Sequence, residues 1–330
     1  MKSSSTHIRG ISANTIPWAI AAAAFIALPI TIAVSPGHAF ETPPTLEETS
    51  SQRFECVLEI DPDDSYTSRP WSGGFVPFQF DEDINSTEQN HIKAAMDWWT
   101  LVTGTKFVYR NTEPDFVTIT RHTETNVSSS AVGFKGGEQF VKIGTNHWTN
   151  YGVIAHELCH TLGWHHEQSR PDRDEFVTID TLNVNPDYIG NFNIYENDLT
   201  FGHPYDFESI MHYGACTFSI CSSCESSDPD CRTITTLDPD FQETIGQRGE
   251  LSDGDIDDVR YIYGSRTARY VSLGGNGSGS LSNPYGEVPT ALSAIPNGGY
   301  LLIDAGIYLA DGLFTKKSIW KSHGGAALVK

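Results

Sequence analysis

Apolar side chains recur every three or four residues in a stretch before residue 104, and this spacing is typical of a helix with one buried face. The pattern is formed by Ile92, Ala95, Met96, Trp99 and Val102. Ser86 stands where an N-terminal cap belongs, and Gly104 ends the pattern. We predict an amphipathic helix between these two residues, with its aromatic side chains in the hydrophobic core.

Short apolar runs predict strands on both sides of this helix. One run lies at residues 71–80, and two more follow at residues 115–120 and 139–143, separated by Ser, Gly and Thr. A second helix is expected to end near Gly163. Beyond about residue 265 the composition turns to Gly, Ser, Asn and Pro, so we place a domain boundary there.

Acidic side chains outnumber basic ones by 42 to 21, which gives the chain a formal net charge of −21. Such a field repels nucleic acid and anionic lipid, so we exclude both classes of partner. An acidic surface also keeps an exported protein soluble, and this is the simpler explanation of the charge.

The first 39 residues are typical of a targeting signal. A basic start with Lys2 and Arg9 precedes an apolar run at residues 18–34, and Ala39 is a small residue suited to cleavage. The run is short for a membrane span, which favours a cleaved signal peptide over an uncleaved anchor. We therefore expect a secreted protein, extracellular or periplasmic, without stable membrane insertion after cleavage. Residues 40–67, rich in Glu, Asp, Pro, Ser and Thr, are expected to form a pro-segment or flexible lead.

Six cysteines agree with export, because disulfides persist in oxidising compartments. Four of them crowd one stretch: Cys216, Cys221, Cys224 and Cys231. In a reducing cell this cluster would indicate a structural zinc site, but behind a signal peptide local disulfides are favoured. The sequence does not define their connectivity.

A histidine motif with the pattern HExxHxxGxxH begins at residue 156. On a helix, residues four apart share a face, so His156 and His160 present two imidazoles to one point. Gly163 can adopt the left-handed conformation that ends a helix, which would bring His166 round as a third ligand. Three protein nitrogens leave one coordination position open, and this predicts one catalytic Zn²⁺ rather than a structural ion.

The open position predicts hydrolytic chemistry. Water bound to such a zinc ion ionises near pH ~7, and Glu157 is placed to take its proton and return it to the leaving amine. An HExxH pattern alone arises by chance, but Gly163 and His166 at fixed offsets make coincidence improbable. The neighbouring His165 is expected to point away from the metal.

The string from His156 to Asp174 resembles the astacin family of metzincin proteases, which carries HExxHxxGxxHExxRxDRD. Residues 205–213 resemble the Met-turn of that family, and further agreement lies at residues 71–78, 132–139 and 245–252. The likeness spans about residues 62–264. It implies a zinc metalloendopeptidase with an α+β fold, in which two subdomains enclose an active-site cleft, and we assign it to residues 68–264.

The resemblance also implies roles for individual residues. Met211 would form a hydrophobic floor under the zinc, and Tyr213 would be a displaceable fifth ligand that later donates its hydroxyl to the oxyanion. Glu167 would contact the mature amino terminus in a buried network. A protein or peptide substrate would lie extended along an edge strand, which we expect within residues 131–143.

Two departures from the family pattern concern disulfides. Thr105 stands where a half-cystine is expected, and no cysteine follows Tyr263. The cysteine cluster at residues 216–231 would then substitute for the usual pair of disulfides. The sequence does not define the shape of the subdomain that contains this cluster.

The latency device also differs, because the chain has no FxGD motif, in which the family's pro-segment aspartate usually occupies the metal. Cys56 precedes the domain, and a thiolate is a good fourth zinc ligand. Our hypothesis is a zymogen with a cysteine latch, released by cleavage near residues 60–70. The alternatives are a disulfide from Cys56 to Cys159 or elsewhere, and an acidic latch from Asp61, Asp63 or Asp64. Cys159 itself is expected to be a small buried hydrophobe.

Residues 265–330 read as a Gly/Ser-rich linker and a β-rich tail that resembles the opening of a parallel β-helix, of the kind found in polysaccharide-binding proteins. The coil repeats at most twice before Lys330, which is few for a stable solenoid, so the segment reads as truncated. The tail suggests polysaccharide contact. A second functional hypothesis therefore remains, a carbohydrate-surface binding protein with an inert zinc domain, although retention of Glu157 favours an active enzyme.

Overall fold

The computed structural model describes residues 55–58, 69–195, 202–310 and 316–330, so the predicted signal peptide lies outside the described residues. The strands are β1 (Glu55–Leu58), β2 (Phe75–Phe80), β3 (Lys106–Tyr109), β4 (Phe116–Arg121), β5 (Val127–Ser130), β6 (Glu138–Ile143), β7 (Val177–Ile179), β8 (Ile234–Thr236), β9 (Ala268–Val271), β10 (Tyr300–Tyr308) and β11 (Ile319–Val329). The helices are α1 (Ser86–Val102), α2 (Tyr151–Leu162), α3 (Asp253–Tyr263) and α4 (Val288–Ala294). Within these ranges, none of the helices has the length and apolar character that crossing a bilayer requires.

Six strands form one sheet in the order β1-β5-β6-β4-β2-β3. All neighbours are parallel except β5 and β6. The expectation of an open edge strand within residues 131–143 is wrong for β6, because β5 and β4 pair with both of its sides. The next strand on this side is β5, and β1 pairs along its outer side with Cys56 opposite Ser128, so β1 is the edge strand here.

Helices α1 and α2 pack on each other and share one hydrophobic core with the sheet. The indole Nε1 of Trp99 in α1 donates to the carbonyl of Ala155 in α2 at 3.0 Å. The predicted first helix is confirmed, but its cap is Asn85 rather than Ser86. The Asn85 side chain accepts from Thr87 N and Glu88 N, and the Glu88 carboxylate accepts from Asn85 N. This reciprocal capping box outcompetes the serine one residue later.

The part of the chain after α2 is largely irregular, with short 3₁₀ turns and the two-stranded antiparallel sheet β7–β8. Disulfides join Cys216 to Cys224 and Cys221 to Cys231, so the predicted local disulfides are confirmed and the alternative of a structural zinc site is wrong. Thr105 is buried, and its hydroxyl shares a hydrogen bond of 2.9 Å with that of Thr103.

The C-terminal segment forms a parallel sheet in the order β11-β10-β9, covered by α4. This sheet joins the body of the protein through shared core residues: Ala268, Tyr270, Leu281 and Leu302 belong to the same buried cluster as Trp99 and Leu158. The buried carboxylate of Asp97 in α1 accepts from Leu281 N and from the backbone and hydroxyl of Ser282. The comparison with a β-helix stays a prediction.

Candidate metal centre

Helix α2 places the first two histidines of the motif. Its cap, Asn150, accepts from Val153 N at 3.0 Å, and the helix then stays buried from residue 152 to residue 162. Gly163 ends it with φ of 122°, where its N–H donates to the carbonyls of Cys159 and His160. This positive φ favours glycine over every other residue. The chain therefore turns where the sequence predicts, and His166 comes back towards the helix.

The three histidines converge on one point. The Nε2 atom of His166 lies 3.2 Å from that of His156 and 3.1 Å from that of His160. All three side chains are buried. Within the described ranges, they are the one group of His, Cys, Asp or Glu side chains close enough together to hold a metal ion.

The opposite ring nitrogens fix two of the imidazoles. His156 Nδ1 donates to the carbonyl of Ile210 and His160 Nδ1 to that of Trp164, both at 2.6 Å. Because a carbonyl can only accept, Nδ1 carries the proton and Nε2 presents a lone pair to the centre.

Burial keeps these imidazoles neutral. It lowers the pKa of His160 to about 3, and it also lowers the pKa values of His156 and His166 well below their ordinary value. The guanidinium of Arg248 acts in the same direction on all three rings. Neutral imidazole is the form that ligates a metal.

The donor set fits a zinc ion. Zn–N bonds of about 2.0–2.1 Å in a tetrahedron place two ligand nitrogens roughly 3.3 Å apart. The observed separations of 3.1 Å and 3.2 Å are close to this spacing. The Nδ1 protons of His156 and His160 leave two Nε2 lone pairs aimed at His166, an arrangement that a bound cation stabilises. His156, His160 and His166 would hold the ion and leave a coordination position open.

The other predicted site residues surround this centre. Glu157 is fully buried in α2, directly after His156. The ring of Tyr213 packs against that of His166 with centroids 4.1 Å apart. Met211 is buried in the same core cluster as α2, and its carbonyl accepts from Glu167 N. The Met-turn therefore lies against the histidine centre.

Two neighbours are placed as the sequence predicts. His165 stacks on Tyr195 with centroids 4.5 Å apart, outside the three-histidine group. Cys159 is buried and has a free thiol, so the alternative of a Cys56–Cys159 disulfide is wrong. The backbone of Cys56 is described within β1, but its thiol lies outside the described atoms, and the latch remains a hypothesis.

An ionic network follows directly after His166. Arg170 Nη1 donates to Glu167 Oε1 at 3.0 Å, and its Nε and Nη2 form a bidentate pair with Asp172. Asp206 N also donates to Glu167 Oε1 at 2.8 Å. Burial raises the pKa of Glu167 to about 8, even though Arg170 opposes the shift. This network holds the loop that carries His166 against residues 203–206.

Asp255, which lies outside every motif of the sequence, supports the Met-turn. Its carboxylate accepts from Ser209 Oγ at 2.6 Å and from Ile210 N at 2.9 Å, and the carbonyl of Ile210 accepts from His156. The available signal was the spacing of Ser252 and Asp255, which form a capping box at the start of α3.

Gln168 was also missed, although it lies inside the recognised string. Its Oε1 accepts from Tyr213 N at 2.9 Å. The neighbouring His212 donates from Nδ1 to the carbonyl of Tyr213 and accepts at Nε2 from the hydroxyl of Tyr205. Buried hydrogen bonds thus fix the backbone of Tyr213 from two sides.

The three-histidine centre lies between two hydrophobic clusters, one shared by the six-stranded sheet with α1 and α2, the other in the irregular half of the chain. This arrangement defines a zinc-peptidase type of domain. The sequence profile of the Astacin peptidase family matches residues 63–264. The chain belongs to the astacin family of zinc metalloendopeptidases, and its predicted α+β fold is confirmed.

Individual relatives agree. Zinc metalloproteinase nas-14 of Caenorhabditis elegans is 35% identical over 204 residues, which cover 60% of this chain and 38% of that protein. Tolloid-like protein 2 of Mus musculus is 38% identical over 202 residues, covering 60% of this chain and 19% of that protein. The chain therefore spans well under half the length of these relatives.

A solved structure is also similar. High choriolytic enzyme 1, a hatching enzyme zinc-protease from Oryzias latipes (Medaka fish), shares 34% identity with a TM-score of 0.54. The match covers 61% of this chain and 96% of that one.

Proposed function

We propose that the protein is a secreted zinc-dependent endopeptidase whose catalytic domain comprises residues 68–264. The observation that carries this proposal is the convergence of His156, His160 and His166 through their Nε2 atoms, next to the buried Glu157. The apolar run at residues 18–34 supports the secreted part of the proposal, as do the two disulfides.

Zinc, when bound, supplies a Lewis acid and lowers the pKa of water in the open position. Glu157 then acts as general base: its carboxylate takes a proton from the attacking water and passes it to the leaving amine. Its burial keeps bulk water away from this proton exchange. His156 and His160 stay oriented throughout through their Nδ1 donors.

Tyr213 has the second catalytic role. Its ring rests on His166, and its backbone is held by Gln168, so its hydroxyl can donate to the oxyanion that forms on the peptide carbonyl. Met211 supports the centre from below as a buried apolar residue. Gly163 and Glu167 are structural, since the first turns the chain and the second holds the loop of His166.

Substrate would add to the sheet as an extended peptide along β5. This strand precedes residues that contact α2, where Gly133 N donates to the carbonyl of His160 at 2.8 Å. In the present chain β1 occupies the outer side of β5. We therefore infer that residues 40–67 form a pro-segment that covers the substrate strand, and that Cys56 is its zinc latch.

Casein digestion tests the proposed activity. Purified mature protein should cleave casein, and 1,10-phenanthroline should abolish cleavage. Glu157→Gln should lower the rate by at least ~100-fold without loss of zinc, because it removes only the proton acceptor. His165→Ala, outside the centre, is the matched control. Digestion that survives the chelator, or full activity in Glu157→Gln, would contradict the zinc mechanism, and the absence of any digestion would leave the inert carbohydrate-binding alternative.

The latch has its own test. Uncleaved precursor with Cys56→Ser should gain activity that the uncleaved parent lacks, whereas Asp61→Asn should not. Equal inactivity of the parent and Cys56→Ser precursors would contradict the latch but not the protease.

A further inference from the structure

A pocket lies where residues 70–74, the end of α3 and strand β10 meet. It has a volume of about 530 Å³, and its wall includes Trp71, Lys106, Arg266 and Tyr300. None of these residues belongs to the three-histidine group. The glycines at 73 and 264 have positive φ and leave this part of the wall without side chains.

Basic groups converge here in a chain that is otherwise strongly acidic. Lys106 in β3 is buried although its side chain carries a charge. Both Arg266 and Lys321 are near enough to act on it electrostatically. Among the described residues, no carboxylate forms an ion pair with Lys106 or Arg266. The carboxyl of Glu113 interacts electrostatically with Lys321, which helps to lower the pKa of Glu113.

The burial of Lys106 is only partly compensated. Its Nζ donates to the carbonyls of Gly73 and Gly104 and lies 4.4 Å from the centre of the Tyr300 ring. Burial, with the repulsion of Arg266 and Lys321, lowers the pKa of its amine to about 8. An anion in the pocket would relieve this repulsion.

We propose that the pocket binds a small oxyanion, a carboxylate or sulfate group, between Lys106 and Arg266. Guanidinium and ammonium groups both form charge-assisted hydrogen bonds with such oxygens. The hydroxyls of Ser72 and Ser265, which also line the pocket, offer neutral donors. The group can be a free ion or the acidic group of a sugar, for which the partly exposed ring of Tyr300 provides a wall.

Two side chains of the pocket wall form hydrogen bonds with α2, the helix that carries His156 and His160. Trp71 Nε1 donates to the carbonyl of Thr161 at 2.9 Å, and the hydroxyl of Tyr263 donates to that of Leu162 at 2.6 Å. These two hydrogen bonds link the pocket wall to the last turn of α2, but the proposal does not depend on peptidase activity.

A titration followed by nuclear magnetic resonance tests the proposal. The zinc-loaded protein, labelled with ¹⁵N in its tryptophans, is titrated with sodium sulfate at pH 6.5 and constant ionic strength. The Trp71 indole signal, identified with Trp71→Phe, should shift and saturate. Arg266→Gln should weaken this affinity at least ~10-fold, because an exposed charged donor is lost without disturbing the core.

Lys317→Gln, which removes an exposed tail charge outside the pocket wall, is the matched control and should bind like the parent. A second arm uses glucuronate. Binding at least ~10-fold tighter than sulfate identifies a sugar-borne carboxylate, and equal or weaker binding identifies a free oxyanion. A shift that never saturates with either probe, or an unchanged affinity in Arg266→Gln, would overturn the site.

Discussion

The carboxylate of Asp255 in α3 accepts a hydrogen bond of 2.6 Å from the hydroxyl of Ser209, 46 residues away in the chain. The same carboxylate accepts from Ile210 N, and the Ile210 carbonyl in turn orients His156. A residue with no place in the histidine motif therefore connects α3 to His156, one of the three histidines proposed to hold the metal.

Asp255→Asn should destabilise the fold by about 1–3 kcal/mol, because an amide cannot accept from all the donors that face this side chain. It should also weaken zinc binding several-fold, since the Ile210 carbonyl loses its support. Denaturant unfolding and a competitive zinc titration measure the two effects. Asp253→Asn, also in the first turn of α3 but exposed, is the control and should match the parent.

The same residue gives a pH dependence. Burial raises the pKa of Asp255 from 3.8 to about 6, so folding favours its protonated form. Its contribution to stability is complete below pH ~4 and is lost as pH rises towards ~6, by up to about 3 kcal/mol. The difference in unfolding free energy between the parent and Asp255→Asn should therefore change across this window. A constant difference from pH 4 to pH 7 would contradict the raised pKa.

Metal removal should lower the thermal stability. Three buried imidazoles lose their shared ion when a chelator removes zinc, and a ligand that binds only the folded state stabilises it. Calorimetry should show a melting temperature several degrees lower after chelation. His166→Ala should abolish this difference and His165→Ala should retain it. A chelator effect of the same size in His166→Ala would remove His166 from the ligand set.

The attachment of the C-terminal sheet depends on Asp97. Asp97→Ala leaves Leu281 N and Ser282 N without their acceptor, at a cost of about 1–3 kcal/mol for each buried donor. Hydrogen exchange at these two amides should accelerate more than at α2. Asp257→Ala, which removes an exposed carboxylate from α3, should leave both rates unchanged. Equal protection in Asp97→Ala would show that apolar contacts alone hold the sheet.

The disulfides should stabilise the irregular half. Each closes a loop of 8 or 10 residues, for which chain entropy predicts about 2.5 kcal/mol. The double variant Cys221→Ser with Cys231→Ser should unfold at lower denaturant and be cut by added trypsin after Arg232. Cys159→Ala, which removes the free thiol, should not create that cleavage. An unchanged unfolding midpoint would show that the apolar core of this half, and not the disulfide, provides its stability.

The sequence predicts elements that carry their own local signal. The spacing of Ile92, Met96 and Trp99 defines α1, and the histidine spacing defines the end of α2, because each pattern is set by the geometry of one helix. Strand β5 was not predicted, since Val127 is its only apolar residue and its position comes from backbone pairing with β6. Asp255 was missed for a related reason: in an acidic chain, a single carboxylate becomes informative only through its contact with Ser209.

The C-terminal sheet shares its apolar interior with the catalytic fold, and this limits how the gene can be edited. A protein that stops after α3 would expose the surface now covered by Tyr270 and Leu302 to water, and would leave the Asp97 carboxylate facing solvent without its donors. Recombinant production of an active peptidase should therefore retain residues through β11, and exchange of the C-terminal segment between relatives should include the surface of α1 that receives it.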